Sequence, residues 1–289
     1  MNRRAFTLVE LMIGTGVASV LAVAVFALMN AGMILSAKNL SINLTSNSMR
    51  TALDRVEQSV QQADTMPQLI DTAGNTVAAG TAAGIRFDRS VGSPFVVTLT
   101  GGTIPAASTS LTLTRTTDSM APPPAPRAGD VVRLSGTPTT LRPHVQSVVA
   151  GAVDAQLRQP FTVNLTAALG TTVDPIATNI VTANIVRSVA FIVMPANGKP
   201  ELRYYDRYDV TPVGSLNDPS FYFVVTDQIG TATGDATPFS IVTYDGKPFV
   251  NFSLRVRSSG FDRGIRSLQR DQYNTFARTD TYIRPKILP

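Results

Sequence analysis

The chain has 289 residues, a formal net charge of +5, no Cys, no Trp and one His, His144. Without Cys there is neither a disulfide framework nor a thiolate metal site, and one His excludes a multi-histidine zinc centre and makes any hydrolase triad depend on a single residue. The length suits one sizeable domain or two small ones.

The first element opens MNRRAFTLVELMIGTGVASV. Arg3 and Arg4 come first, Glu10 follows, and residues 11–37 are 27 positions without a charge. About 20 apolar residues cross a bilayer as a helix, whereas a secretory h-region stops at about 15. The run therefore reads as an uncleaved membrane helix, and the leading arginines keep the N-terminus cytoplasmic and the rest outside. Anchoring does not account for Glu10. An acid in a spanning segment costs a few kcal/mol and usually marks function. Near the cytoplasmic edge snorkelling lowers the cost, and a fixed positive partner removes more of it.

The stretch RRAFTLVEL resembles the processing motif of the type IV pilin and type II secretion pseudopilin family. That pattern is a short basic leader, a small residue at the cut, Phe, Thr, Leu, a further apolar residue, then Glu at the fifth mature position. Arg3 and Arg4 match the leader. Phe6, Thr7, Leu8, Val9 and Glu10 match the mature start, and Ala5 stands where the family usually has Gly. The resemblance implies cleavage by a prepilin peptidase between Ala5 and Phe6, then N-methylation of the Phe6 amine. It also implies that Glu10 pairs with the N-terminal amine of a neighbouring subunit and so acts as an assembly check. A matched pair is strengthened in a low-dielectric setting and a lone charge is penalised there.

No Pro appears before Pro67, so the helix is expected to run from Phe6 to about Asp64. Met49, Leu53, Val56, Val60 and Ala63 alternate spacings of four and three, one apolar stripe of an amphipathic helix. Gly14, Gly16 and Gly32 fit either close helix contacts or ordinary membrane-helix glycines. The division expected is a leader over residues 1–5, a transmembrane or filament-core helix over 6–37, its amphipathic half over 38–66, and an extracytoplasmic head over 67–289.

After Pro67 the pattern is strands and turns. The predicted strands are GIRFD, PFVVTLT, SLTLTRT, GDVVRLS, HVQSVVAGAV, FTVNLTA, IVRSVAFIVMP, ELRYYDRYD, FYFVVTDQI, FSIVTYD and VNFSLRVRSS. SLTLTRT alternates, so one face meets solvent. VAFIVM is apolar on both faces and belongs at a sheet centre. YDGKPF carries an Asp-Gly hairpin turn. His144 reads as an ordinary half-buried strand residue, and residues 119–127, SMAPPPAPR, as a stiff surface loop. The fold class expected is α+β: one long helix packed on a β-rich head.

The C-terminal tail departs from strand periodicity. Residues 250–289 hold eight basic residues against three acidic ones. Arg255, Arg257, Arg263, Arg266 and Arg270 form either a basic surface for an acidic partner, nucleic acid included, or a solvated strand face with a short helix near RSLQRDQY. Nucleotide loops, nucleophile elbows, zinc helices and EF-hand loops are absent from the sequence, so no enzyme, metal or cofactor is expected. Within the family, the large head and the lack of a Cys pair resemble W-type minor pilins and J-type pseudopilins. That resemblance implies a structural subunit in a priming or tip complex, anchored in the inner membrane with a periplasmic head, then carried into a filament. The alternative is an anchored or tip-displayed binding module for DNA, a surface or a secreted substrate.

Overall fold

The computed structural model describes residues 7–92, 94–99, 102–116, 124–135, 142–174, 181–196, 199–210, 215–227, 229–230, 233–257 and 276–285. Helix α1, Leu8–Gln61, has 54 residues, about 81 Å at 1.5 Å per residue. Thr7 is its N-cap, so the helix begins two residues later than expected. It also ends before Asp64. Ala63 leaves the helix to bridge Arg89, the Asp64 amide donates to the Asp88 carbonyl at 2.7 Å, and Pro67 follows. The predicted stripe faces inward. Val56, Val60 and Ala63 are fully buried, Met49 and Leu53 partly so, and Ala52 joins them.

The strands are β1 Gln68–Ile70, β2 Thr81–Ala82, β3 Gly84–Ser90, β4 Phe95–Val97, β5 Ser110–Thr116, β6 Val131–Leu134, β7 Val145–Ala150, β8 Arg158–Leu165, β9 Val181–Ala196, β10 Lys199–Tyr205, β11 Phe223–Thr226, β12 Phe239–Tyr244, β13 Lys247–Arg257 and β14 Phe276–Ile283. All pairings among the described strands are antiparallel. The fold is α+β, one long helix before a strand-rich head.

Strand β9 is the spine. Val186 pairs with both Ser90 of β3 and Val131 of β6, and Ala183 with both Phe95 of β4 and Leu134 of β6. One edge of β9 therefore carries β3 and β4, and the other carries β6 and β10. Its residues 189–194, the VAFIVM run, are all buried, as a central strand requires. Val189, Phe191 and Val193 join the core around α1, while Ala190, Ile192 and Met194 pack with Tyr205 on the opposite face.

The N-terminal half of β9 belongs to a closed ring. The order β9-β4-β5-β8-β7 follows the sheet. The bridge between Val131 and His144, with the Val145 amide donating to the Asp130 carbonyl at 2.8 Å, ties β7 back to β6, which pairs with β9. Phe95, Leu113, Phe161, Val163, Val181 and Ile185 fill the interior, with Phe95 and Phe161 edge to face at 6.1 Å. Closure leaves few free strand edges in this part of the head.

A second sheet, β14-β13-β12-β2, closes the other core over α1 with Phe239, Phe252, Leu254, Val256 and Ile283. Its β12–β13 turn has Asp245 and Gly246 at φ 50° and 70°, the positive-φ hairpin turn that Asp-Gly favours. β14 corrects the reading of the tail. Phe276–Ile283 pairs with β13 over eight residues, although the sequence FARTDTYI carries no strong apolar alternation. β1 and β2, three and two residues long, were also not predicted, being too short to show a period. SLTLTRT forms β5 with alternating burial.

Candidate functional site

Two regions concentrate polar chemistry. The first is the start of α1. Thr7 has extended backbone, with φ −77° and ψ 149°. Its hydroxyl accepts from the Glu10 amide at 3.3 Å, and its own amide donates to Glu10 Oε2 at 3.0 Å. The Thr7 hydroxyl also lies 2.9 Å from that oxygen. This is a capping box, and it places the carboxylate at the positive end of the helix dipole. Further along, Thr15 donates to the Leu11 carbonyl at 3.0 Å and Ser19 to the Thr15 carbonyl at 2.7 Å. Backbone acceptors thus satisfy hydroxyls inside an apolar stretch.

From Leu8 to Leu44 the large apolar side chains of α1 are exposed, and the helix is long and apolar enough to cross a membrane. Beyond the helix's own backbone, nothing among the described residues lies within 4 Å of a Cβ built on Gly14, Gly16 or Gly32, so their surroundings fit either reading of these glycines. Arg3, Arg4, Ala5 and Phe6 lie outside the described residues.

The second region is a charged junction between the ring and the helix-packed half. Arg187 on β9 donates to Asp130 at 2.7 and 3.0 Å and reaches Asp206 at 3.5 Å. Arg142 holds Asp88 at 2.7 and 2.9 Å and Asp209 at 2.7 Å. Arg89 pairs with Asp206 at 3.1 Å, and Ser188 donates to Asp209 at 2.9 Å. Burial alone lowers the pKa of Arg187 and Arg142, but the hydrogen bonds and charge of the paired aspartates outweigh it and raise both. A cleft of ≈ 380 Å³ opens beside it, with Gln68, Arg86, Asp88, Arg142 and Asp209 among its walls. The sequence reading passed over this cluster. Its signal was an Arg inside an apolar strand, IVRSVAFIVM, which needs a buried partner.

The basic tail residues are only partly placed. Arg255 is half-buried on β13 opposite Arg278, Arg257 ends β13, and Arg263, Arg266 and Arg270 lie outside the described residues. The RSLQRDQY segment and residues 119–123 of the Pro-rich loop do too, and residues 124–127 have no regular structure. His144 is half-buried in the bridge to Val131. Among the described residues no group of three or more His, Asp or Glu is placed to hold a metal.

Residues 1–26 match the family model of the prokaryotic N-terminal methylation motif. This is the signal of type IV pilins and pseudopilins, and it supports a type IV pilin-like or pseudopilin protein. Proteins with this motif are structural, assemble with other pilin subunits and are processed by prepilin peptidase. The motif and the one apolar N-terminal helix fit anchoring in the inner membrane. No curated protein and no solved structure is a significant match to the chain.

Proposed function

We propose that the chain is a minor pilin or pseudopilin, a structural subunit of a type IV pilus or type II secretion pseudopilus that acts in a priming or tip complex. Residues 1–5 are the leader, removed by cleavage between Ala5 and Phe6, after which the Phe6 amine is methylated. Residues 6–37 hold the subunit in the membrane and then in the filament core, 38–66 carry the head, and 67–289 form that head in the periplasm. The observation that carries this reading is the union of the methylation motif with an apolar helix that buries none of its first 30 or so residues within its own chain. A surface of that length needs an apolar surrounding, either lipid or the helices of other subunits.

Glu10 is the assembly residue. The capping box satisfies its hydrogen bonds but supplies no full counter-charge. A neighbouring subunit's Phe6 amine supplies one, and in a low-dielectric filament core that match separates a docked subunit from a misdocked one. The test is Glu10→Val in the native envelope, with incorporation read by cross-linking and mass spectrometry. Membrane insertion should persist while linkage to other pilin-like subunits is lost. Normal incorporation of the variant, or a wild-type chain still beginning at Met1, would sink the reading.

A further inference from the structure

The cleft beside the charged junction holds charges of both signs that its own walls do not match in place. Arg86 and Asp88 lie two residues apart on β3, so they share one face of the strand, about 7 Å apart along it. Ile85 and Phe87 are buried in the core around α1, so Arg86 and Asp88 face the other way. Gln68 of β1 stands opposite Arg86, and Ser188 of β9 opposite Asp88. All four line the ≈ 380 Å³ cleft together with Arg142 and Asp209.

Two arginines and two aspartates balance in number, yet the pairing is lopsided. Asp88 and Asp209 share one guanidinium, that of Arg142, which leaves a surplus negative charge at that end. Among the described residues the half-buried Arg86 makes no ion pair. Its guanidinium donates to two neutral oxygens, Gln68 Oε1 at 2.9 Å and Thr76 Oγ1 at 3.4 Å. An arginine has five N–H donors, so most of them stay open to water or a ligand.

Open guanidinium donors recognise a carboxylate, and a surplus carboxylate recognises an ammonium. A ligand with a single charge satisfies one end of the cleft and is repelled at the other. An α-amino acid carries both groups on one carbon, which suits opposite charges anchored two residues apart on one strand. The volume falls within the range of about 300–1,000 Å³ typical of small-molecule pockets, and Met66 adds an apolar wall for a side chain. We propose that this cleft binds a free α-amino acid, its carboxylate on Arg86 and its ammonium on Asp209.

The test uses the full chain in detergent, with the twenty standard amino acids as probes. Saturation-transfer NMR should show saturable binding of at least one, and calorimetry gives its Kd. The N-acetyl derivative of the best probe keeps only the carboxylate, and its amide derivative keeps only the ammonium. Each should bind at least about tenfold more weakly than the parent. Arg86→Gln should weaken the parent about tenfold and leave the amide derivative unchanged. Asp209→Asn should weaken the parent and leave the N-acetyl derivative unchanged. Unchanged thermal unfolding checks the fold of both variants. If Asp209→Asn unfolds because Arg142 loses a partner, Arg86→Gln and the two derivatives still decide. No saturable binding of any probe overturns the proposal. So does a single-charge derivative that binds as tightly as its parent, or binding indifferent to Arg86→Gln.

Discussion

Replacing Asp130 with Ala should destabilise the head far more than an exposed charge deletion would. Asp130 is fully buried, and Arg187 is 6% exposed. The pair is two-pronged, Nε to Oδ1 at 2.7 Å and Nη2 to Oδ2 at 3.0 Å, and Oδ2 also accepts from the Arg127 amide at 2.9 Å. Without Asp130, the only carboxylate left to the buried guanidinium among the described residues is Asp206, at 3.5 Å. Breaking a buried pair on one side costs about 3–5 kcal/mol. Residual help from Asp206 places the loss toward the lower end. At about 2–4 °C per kcal/mol for a domain of this size, the melting temperature should fall by about 10 °C. Near-ultraviolet circular dichroism of the full chain in detergent measures this through the buried tyrosines. The paired variant Asp130→Leu with Arg187→Met removes both charges and should recover most of the loss, because an apolar pair of similar volume carries no desolvation penalty. A single-variant loss below about 1 kcal/mol would refute the reasoning by placing the pair among weak surface bridges. A double variant as unstable as the single would refute it by showing that lost packing, not an orphaned charge, sets the cost.

Burial pushes the Tyr204 and Tyr205 phenols up to about 12 each, while an unfolded tyrosine titrates near 10. The folded state therefore holds these protons more tightly, and their contribution to stability is complete below about pH 10 and lost as pH rises toward 12. Absorbance at 295 nm should show Tyr204 and Tyr205 titrating last among the seven tyrosines, with unfolding over the same window. A single transition near pH 10 with the fold intact would contradict it. In the β12–β13 hairpin, Gly246→Val forces a β-branched residue to φ 70° and should cost about 1–2 kcal/mol. A shift of the urea midpoint measures it, and an unchanged midpoint would mean the turn relaxes into another form.

The helix and eleven of the strands were legible because each is a local pattern. Val56 and Val60 announce a buried stripe by spacing, SLTLTRT announces a half-buried strand by alternation, and Asp245-Gly246 announces a turn by backbone preference. Strand β14 was not legible, since its place is set by pairing with β13 and its sequence FARTDTYI shows no apolar alternation. The ring was not legible either. Its closure depends on Val131 meeting His144, a contact between segments whose patterns look alike to any other strand in the head. The charged junction lies between these cases. Arg187 inside an apolar run signals that a partner exists, but Asp130, Asp206 and Asp209 are scattered through turns, and only the shared spine β9 brings them together.

The start of α1 joins both kinds of information. From the motif alone, Glu10 is an expensive acid that waits for a positive partner. The capping box changes that account, because Thr7 donates to the carboxylate through its backbone amide and its hydroxyl, and the helix dipole adds a favourable field. The unassembled chain therefore has a resting arrangement for Glu10. Under the assembly role proposed for Glu10, docking is a difference between two bound states of one carboxylate: the local cap and a full counter-charge in a low-dielectric core, which is the stronger. A subunit whose amine is misplaced keeps the cap and gains nothing. One whose amine is in register exchanges the weaker contact for the stronger. Selectivity in assembly then follows from the size of that difference, without requiring that Glu10 be unsatisfied beforehand.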